Sequence, residues 1–201
     1  MRATNHRTAD HDVEPMFLER WSPRAFTAEP MPQATLQSLF EAARWAPSAF
    51  NSQPWRFVYA HRDTAAWQRL FALLIPYNQA WVARAAVLLF VVSDRWRRVA
   101  GREPQALYSH SFDAGAAWIS LALQAHALGW AAHGMAGFDI PRTAAELGVP
   151  ADYRVEAAIA IGRPGDKSLL PEALRAREQP SDRLPLSQLV SEGRFAAPPS
   201  R

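Results

Sequence analysis

Residues 108–128 read as one long helix with little bulk on any side, because Ala114, Gly115, Ala116, Ala117, Ala122, Ala125 and Ala127 fill it. Small side chains let another backbone come close, so the helix suits either the centre of a core or a face shared with a second copy of the chain. Gly129 ends it, as a glycine just past a helix should. The strands around it are short. Val155, Ala157, Ile159 and Ile161 alternate, which predicts a strand closing at Gly162. Ala85–Val92 reads as a buried strand, Trp55–Ala60 as another, and Trp130–Met135 as a short one.

Helices are predicted over Pro15–Arg20 and Asp63–Leu74, and over Pro141–Leu147 with proline in its first turn. A further helix carries Leu36, Leu39, Phe40 and Ala43 on one face, and Pro47 stops it near Ala46. Strands and helices interleave without a regular βαβ rhythm, so an α+β layer is expected rather than a dinucleotide-binding α/β sheet. A chain of 201 residues fits one core, or a core completed by a partner. Residues 1–13 read as an N-terminal tail, 14–190 as a single domain and 191–201 as a C-terminal tail. Leu186, Leu189 and Val190 suggest a short docked turn near its end.

Several chemistries are excluded by what the chain lacks. It has no cysteine, which removes disulfides, thiolate zinc sites, iron-sulfur clusters and cysteine nucleophiles. Any redox chemistry must come from a cofactor. The longest apolar stretch is far short of the roughly 18–20 residues of a membrane span, and the charged start predicts no secretory signal. A cytoplasmic protein without a membrane partner is expected. Lys167 is the only lysine among 22 basic residues. Apart from Arg95-Trp96-Arg97-Arg98 with Arg102 the arginines are scattered, so a nucleic-acid-binding module is a minor alternative. The histidines have no metal-ligand spacing. Gly162–Ser168 comes after a strand like a phosphate loop but lacks the adjacent glycine and lysine, and reads as a surface turn.

Three segments carry chemistry. Arg20-Trp21-Ser22-Pro23-Arg24-Ala25-Phe26 places two guanidiniums and a hydroxyl within five residues, a combination that can hold a phosphate and a second anionic edge. Ala43–Trp55 is a loop fixed by Pro47 and Pro54, with Ser48, Asn51 and Gln53 between aromatics; it suits either a binding tip or a plain turn. His133-Gly134-Met135-Ala136-Gly137-Phe138-Asp139 has glycines that would let backbone approach a flat ligand.

In order along residues 17–190 these segments resemble the FMN-dependent nitroreductase family. The resemblance rests on Arg20–Phe26, on Ala46-Pro47-Ser48-x-x-Asn51-x-Gln53-Pro54-Trp55, on Asn78 before the buried strand and on Gly137-Phe138-Asp139. It continues through Ala160–Pro164 and Arg183–Leu186. It implies a nitroreductase-like fold: a central mixed, mainly antiparallel sheet flanked by helices, in a homodimer with a long central interface helix.

The same resemblance implies a role for each motif. Arg20, Ser22 and Arg183 would hold the FMN phosphate, Arg24 and Asn78 the pyrimidine edge, and Pro47, Ser48 and Asn51 would arrive from the partner subunit. The Ala136 and Gly137 amides would face N5. Trp21 belongs to the same cofactor-binding set, although the family often has a second basic residue there. Trp81 and Ala136 stand where some members carry lysine and glutamate, and Ser181 replaces a frequent lysine. The implied activity is hydride transfer from NADH or NADPH through FMN to a small aromatic, quinone or nitro acceptor by a ping-pong cycle, with no protein nucleophile. A flavin-binding protein of the same fold with another role is the alternative: flavin fragmentation, dehalogenation or storage. Trp81, Trp96, Phe112 and Phe138 would be either an aromatic wall for flat substrates or core.

Overall fold

The computed structural model describes residues 5–196, so the outermost parts of both expected tails, 1–4 and 197–201, lie outside it. Four strands make the central sheet: β1 (Trp55–His61), β2 (Val87–Asp94), β5 (Ala131–Met135) and β6 (Tyr153–Gly162). Their order is β1-β2-β6-β5 and every pairing is antiparallel. Strand β2 is buried along its whole length, which is why its sequence is an unbroken apolar run rather than an alternation.

Alternate residues of β2 and β6 feed two cores, one on each face of the sheet. On one face Leu88, Phe90, Ala158 and Ala160 meet α3 (Ala65–Phe71) and α4 (Pro76–Val82) through Trp67, Leu70 and Trp81. On the other, Val87, Leu89, Ile159 and Ile161 meet α2 (Gln33–Arg44) and α5 (His110–Ala127). Both faces are covered, so the sheet is a filled layer between helices.

The small residues of the long helix serve this chain's own core. Ala114, Ala117, Ala122 and Ala125 are buried with Leu121, and α5 lies close against α2 and the sheet. Each buried leucine of this layer contributes roughly 1.5–3 kcal/mol relative to exposure. The opposite face is different: Phe112 and Ile119 are exposed, and a Cβ at Gly115 between them would meet open space. Gly129 takes φ 75°, and the Trp130 amide bonds the Ala125 carbonyl at 2.8 Å, closing the helix as expected.

Shorter elements escaped the periodicity. A two-stranded ribbon, β3 (Trp96–Arg97) with β4 (Gln105–Ala106), occupies the basic loop. Within it Arg98 pairs with Asp94 and Asp152, and Arg95 bonds the Ala151 carbonyl, so much of the charge is spent inside the fold. Helices α1 (Pro15–Glu19) and α6 (Ile140–Glu146) form where expected, whereas α7 (Glu172–Arg175) was not anticipated. The turn at Leu186–Gln188 forms, but Leu186, Leu189 and Val190 are exposed and do not dock on this chain. The sheet faces they would cover are already taken by the helices.

Candidate functional site

Residues 20–27 leave α1 in extended form and are pinned by the segment after β6. The Thr27 amide bonds the Arg163 carbonyl at 3.0 Å, the Gly165 amide bonds the Ala25 carbonyl at 2.8 Å, and Phe26 bridges to Pro164. Gly162 has no room for a side chain because a Cβ would lie 2.6 Å from the Phe26 ring. The segment read as a surface turn is therefore the clamp that fixes the Arg20–Phe26 stretch. Ala25 and Phe26 are buried, and Arg24 is held beside them at a cavity.

That cavity has a volume of about 510 Å³ and is lined by Arg20, Trp21, Ser22, Arg24 and Arg183, together with Arg7, Arg177 and His133. Five of the eleven residues predicted to bind a cofactor are thus gathered in one place. The Arg20 Nη1 lies 3.5 Å from the Ser22 hydroxyl. Arg183 turns onto its own segment, donating to the Ser181 carbonyl and hydroxyl and to the Asp182 carbonyl at 3.0–3.1 Å.

The electrostatics of the cavity are those of cations without enough anions. Burial lowers the Arg20 pKa, and the nearby Arg7 and Arg183 charges lower it further. Arg7 is lowered by burial and by Arg183, with Asp182 opposing. Arg24 Nε is buried with no partner among the described residues. Its main chain is fixed instead: the Arg24 and Ala25 amides both donate to Glu178 Oε1, at 2.7 and 2.8 Å. Glu178 Oε2 is likewise buried without a partner among the described residues. A dianionic phosphate and a carbonyl edge are the groups this donor set fits, since arginines donate charge-assisted bonds to both.

His133 forms the inner wall. Its Nδ1 lies 2.9 Å from the Pro23 carbonyl, so that nitrogen carries the proton, and its ring packs on Trp81 with centroids 4.6 Å apart. Burial, with the Arg24 and Arg20 charges, lowers its pKa from 6.5 to about 4, and the imidazole is neutral. Trp81 continues the wall: its Nε1 donates to Asn78 Oδ1 at 3.3 Å, and Asn78 Nδ2 donates to the Gly137 carbonyl at 2.9 Å. Trp81 and Phe138 are buried and belong to the core, whereas Trp96 and Phe112 are exposed.

The glycines of the third segment serve the protein itself. A Cβ at Gly137 would lie 2.4 Å from Asn78 Nδ2, and one at Gly134 would lie 3.3 Å from the Trp118 ring. Close approach of Asn78 and Trp118 already requires a residue without a side chain, or with little room for one, at both positions. Ala136 is exposed beside them.

Pro47, Ser48 and Asn51 do not line the cavity. They belong to a rigid loop whose Phe50, Asn51 and Gln53 all have positive φ, a strained conformation that persists where surroundings over-determine it. The Ala49 amide bonds the buried Asp113 carboxylate at 3.1 Å, and Asp113 also accepts from the Ser109 hydroxyl at 2.9 Å. The Ser48 hydroxyl accepts the Gln53 amide at 3.0 Å. Arg97 from the ribbon covers the exposed Phe50 ring at 4.3 Å.

Arg7 and Glu178 were not singled out for this site from sequence, and His133 was named only as part of the third segment. Arg7 and Glu178 stand in segments without periodic pattern, and no spacing rule connects them to Arg20.

This chain is similar to known proteins. The profile of the Nitroreductase family matches residues 18–75 and 65–163. A protein of Thermus thermophilus described as an NADH dehydrogenase is 31% identical over 209 aligned positions, covering 89% of this chain and 95% of that one. A solved structure described as an oxidoreductase containing FMN is 50% identical, with a TM-score of 0.93 over 98% of this chain and all of the other. A solved complex with FMN from Desulfovibrio desulfuricans is 29% identical, with a TM-score of 0.69 over 92% of this chain and all of the other.

Proposed function

Because this chain belongs to the nitroreductase family, we propose that it is an FMN-dependent oxidoreductase. Its electron donor is NADH or NADPH, and its acceptor is a small aromatic, quinone or nitro compound in a ping-pong cycle. The observation that carries this reading is the cavity lined by Arg7, Arg20, Arg24 and Arg183, where burial and neighbouring guanidiniums lower the pKa of Arg7 and Arg20 and Arg24 Nε is buried without a partner among the described residues. A structural relative at 50% identity is described as containing FMN.

Bound FMN would supply a ring that accepts hydride at N5 and yields it to a second substrate. In this assignment Arg20, Ser22 and Arg183 hold the phosphate, since a dianion leaving water needs paired guanidiniums. Trp21 shields one side. Arg24 donates to the pyrimidine edge, and its fixed positive charge stabilises negative charge accumulating there. Glu178 keeps the Arg24 main chain in place. Asn78 offers its remaining N–H to the same edge, and the amides at Ala136 and Gly137 face the reacting side. His133, neutral, excludes water without adding charge.

The active unit is a homodimer, and Pro47, Ser48 and Asn51 act on the site of the partner. Phe112 and Ile119 fall on one exposed face of α5 around Gly115, Tyr108 is exposed just before the helix, and Leu189, Val190 and Phe195 are exposed along the C-terminal segment. Apolar surface in this quantity is what a second copy would cover. No helix among the described residues is long and apolar enough to cross a membrane, and the reading places the enzyme in the cytoplasm as a single domain over residues 14–190.

Purification tests the cofactor directly. The protein is expected to be yellow, to release FMN on denaturation and to sediment as a dimer. A colourless protein that takes up no added FMN would remove the assignment.

A further inference from the structure

The two ends of the chain meet at the cavity. Arg7 donates through Nε to the Ser181 carbonyl at 2.9 Å and through Nη1 to the carbonyls of Leu18 and Arg20 at 3.0 and 2.9 Å. Asn5 also donates to the Leu18 carbonyl, Asp10 accepts the Leu186 amide at 3.3 Å, and His6 lies 3.2 Å from Asp182. One guanidinium thus joins the end of α1, which presents Arg20, to residues 181–183, which present Arg183. Among the elements flanking the cavity, nothing in regular secondary structure makes that connection: residues 181–185 belong to no helix or strand.

We propose that residues 5–10 are a strap over the cavity and that Arg7 is a positioning residue for phosphate binding. It holds the Arg183 segment against Arg20 and turns its own Nη2 edge toward the anion. The inference rests on reading the cavity as the FMN phosphate site.

The bonds named use Nε and Nη1 of Arg7, and Nη2 takes part in none of them, so the fork both clasps carbonyls and keeps donors for a ligand. The clasp also gathers like charges, since Arg7, Arg20 and Arg183 each lie within electrostatic reach of another. A phosphate between them removes that repulsion. Strap docking and phosphate binding therefore favour each other, and by linkage each strengthens the other equally. The strap thus brings a cation to Ser181, a position with no charge of its own, by bonding the carbonyl of that residue.

Two measurements test this. In the first, dissociation constants for FMN and for riboflavin, which lacks the phosphate, are measured by flavin fluorescence for wild type, Arg7→Ala and Arg7→Lys. Arg7→Ala should weaken FMN roughly tenfold or more and leave riboflavin within about twofold. Arg7→Lys, which keeps the charge without the fork, should resemble Arg7→Ala. Unchanged FMN affinity in Arg7→Ala, an equal loss for both flavins, or full recovery by lysine would overturn the role.

The second measurement needs no flavin. Trypsin cleaves after Arg7, and inorganic phosphate should slow that cleavage in the wild-type protein relative to chloride at matched ionic strength, but not in Arg183→Ala. Equal cleavage with and without phosphate in wild type would overturn the strap. Phosphate protection in a protein that binds no FMN would uphold the strap and remove the flavin reading instead.

Discussion

The arginine cavity and the Ser48–Asn51 loop are built on opposite electrostatic terms. In the cavity, guanidiniums crowd together, Arg24 Nε is buried unpartnered among the described residues and the nearest imidazole is held neutral. In the loop, the hydrogen bonds close within the chain: Asp113 to Ala49, Ser48 to Gln53, Ser52 to the Ala49 carbonyl at 2.7 Å. What the loop leaves over is apolar, with Phe50 and Trp45 facing outward. In the first region guanidiniums outnumber carboxylates, and the second presents exposed apolar rings. An incomplete polar site calls for a ligand, whereas a rigid loop tipped with exposed rings calls for a protein partner.

Four tests separate the two regions. The largest effect is expected at Arg20→Ala or Arg183→Ala, which should weaken FMN about a hundredfold, since each removes charge-assisted bonds to phosphate. Equilibrium dialysis against FMN checks this, and a loss below about threefold would mean that the cavity is not the phosphate site. Next, Phe112→Asp on the exposed face of α5 should turn the proposed dimer into a monomer in sedimentation at micromolar protein. Phe112 is 82% exposed in the isolated chain, so the core should survive. A variant that stays dimeric would move the interface elsewhere.

The third test sharpens the cavity. With its folded pKa lowered to about 4, His133 binds fewer protons folded than unfolded between about pH 4 and 6.5, so stability falls as pH falls through that window. The loss should be about 1–2 kcal/mol between pH 7 and pH 5, read by urea denaturation. His133→Asn should flatten that slope; an unchanged slope would assign the pH dependence to other groups. The smallest effect is expected in the loop. Asp113→Asn keeps one acceptor oxygen and should cost about 1 kcal/mol, seen as a lowered unfolding midpoint. Its own cavity should keep its phosphate affinity, and a large loss there would show that the two regions are coupled within one chain.

Arg24→Ala probes the chemistry rather than the affinity. Turnover should fall further than flavin content, because in the proposed assignment the Arg24 charge acts on flavin reduction more than on anchoring. Retained turnover would withdraw that role.

The features of this protein that could be read from sequence are those governed by local periodicity. The alternation Val155–Ile161, the apolar run after Ala85 and the face Leu36–Leu39–Ala43 all became the expected strands and helix. Where burial comes from tertiary contact the pattern is silent. Helix α4 is seven residues behind a proline, too short for a period to register, yet it carries the buried Asn78 and Trp81. Ribbon β3–β4 has two residues a strand.

The site divides in the same way. Arg20, Ser22 and Arg24 lie close in the chain and could be recognised together, whereas Arg7 and Ser181 are 174 residues apart and only the folded chain brings them together. Gly134 and Gly137 drew attention for good reason, but the space they leave is filled by Trp118 and Asn78. A missing side chain marks a close approach without naming what approaches.

Whether electrons pass through a bound flavin is decided by an anaerobic titration of the purified protein with NADH and NADPH, then with a quinone or nitroaromatic, flavin absorbance being recorded throughout. One or both nucleotides should bleach a stoichiometric FMN band, and the acceptor should restore it without either nucleotide present in excess. A flavin that stays oxidised under both nucleotides, or no flavin at all, would contradict the assignment.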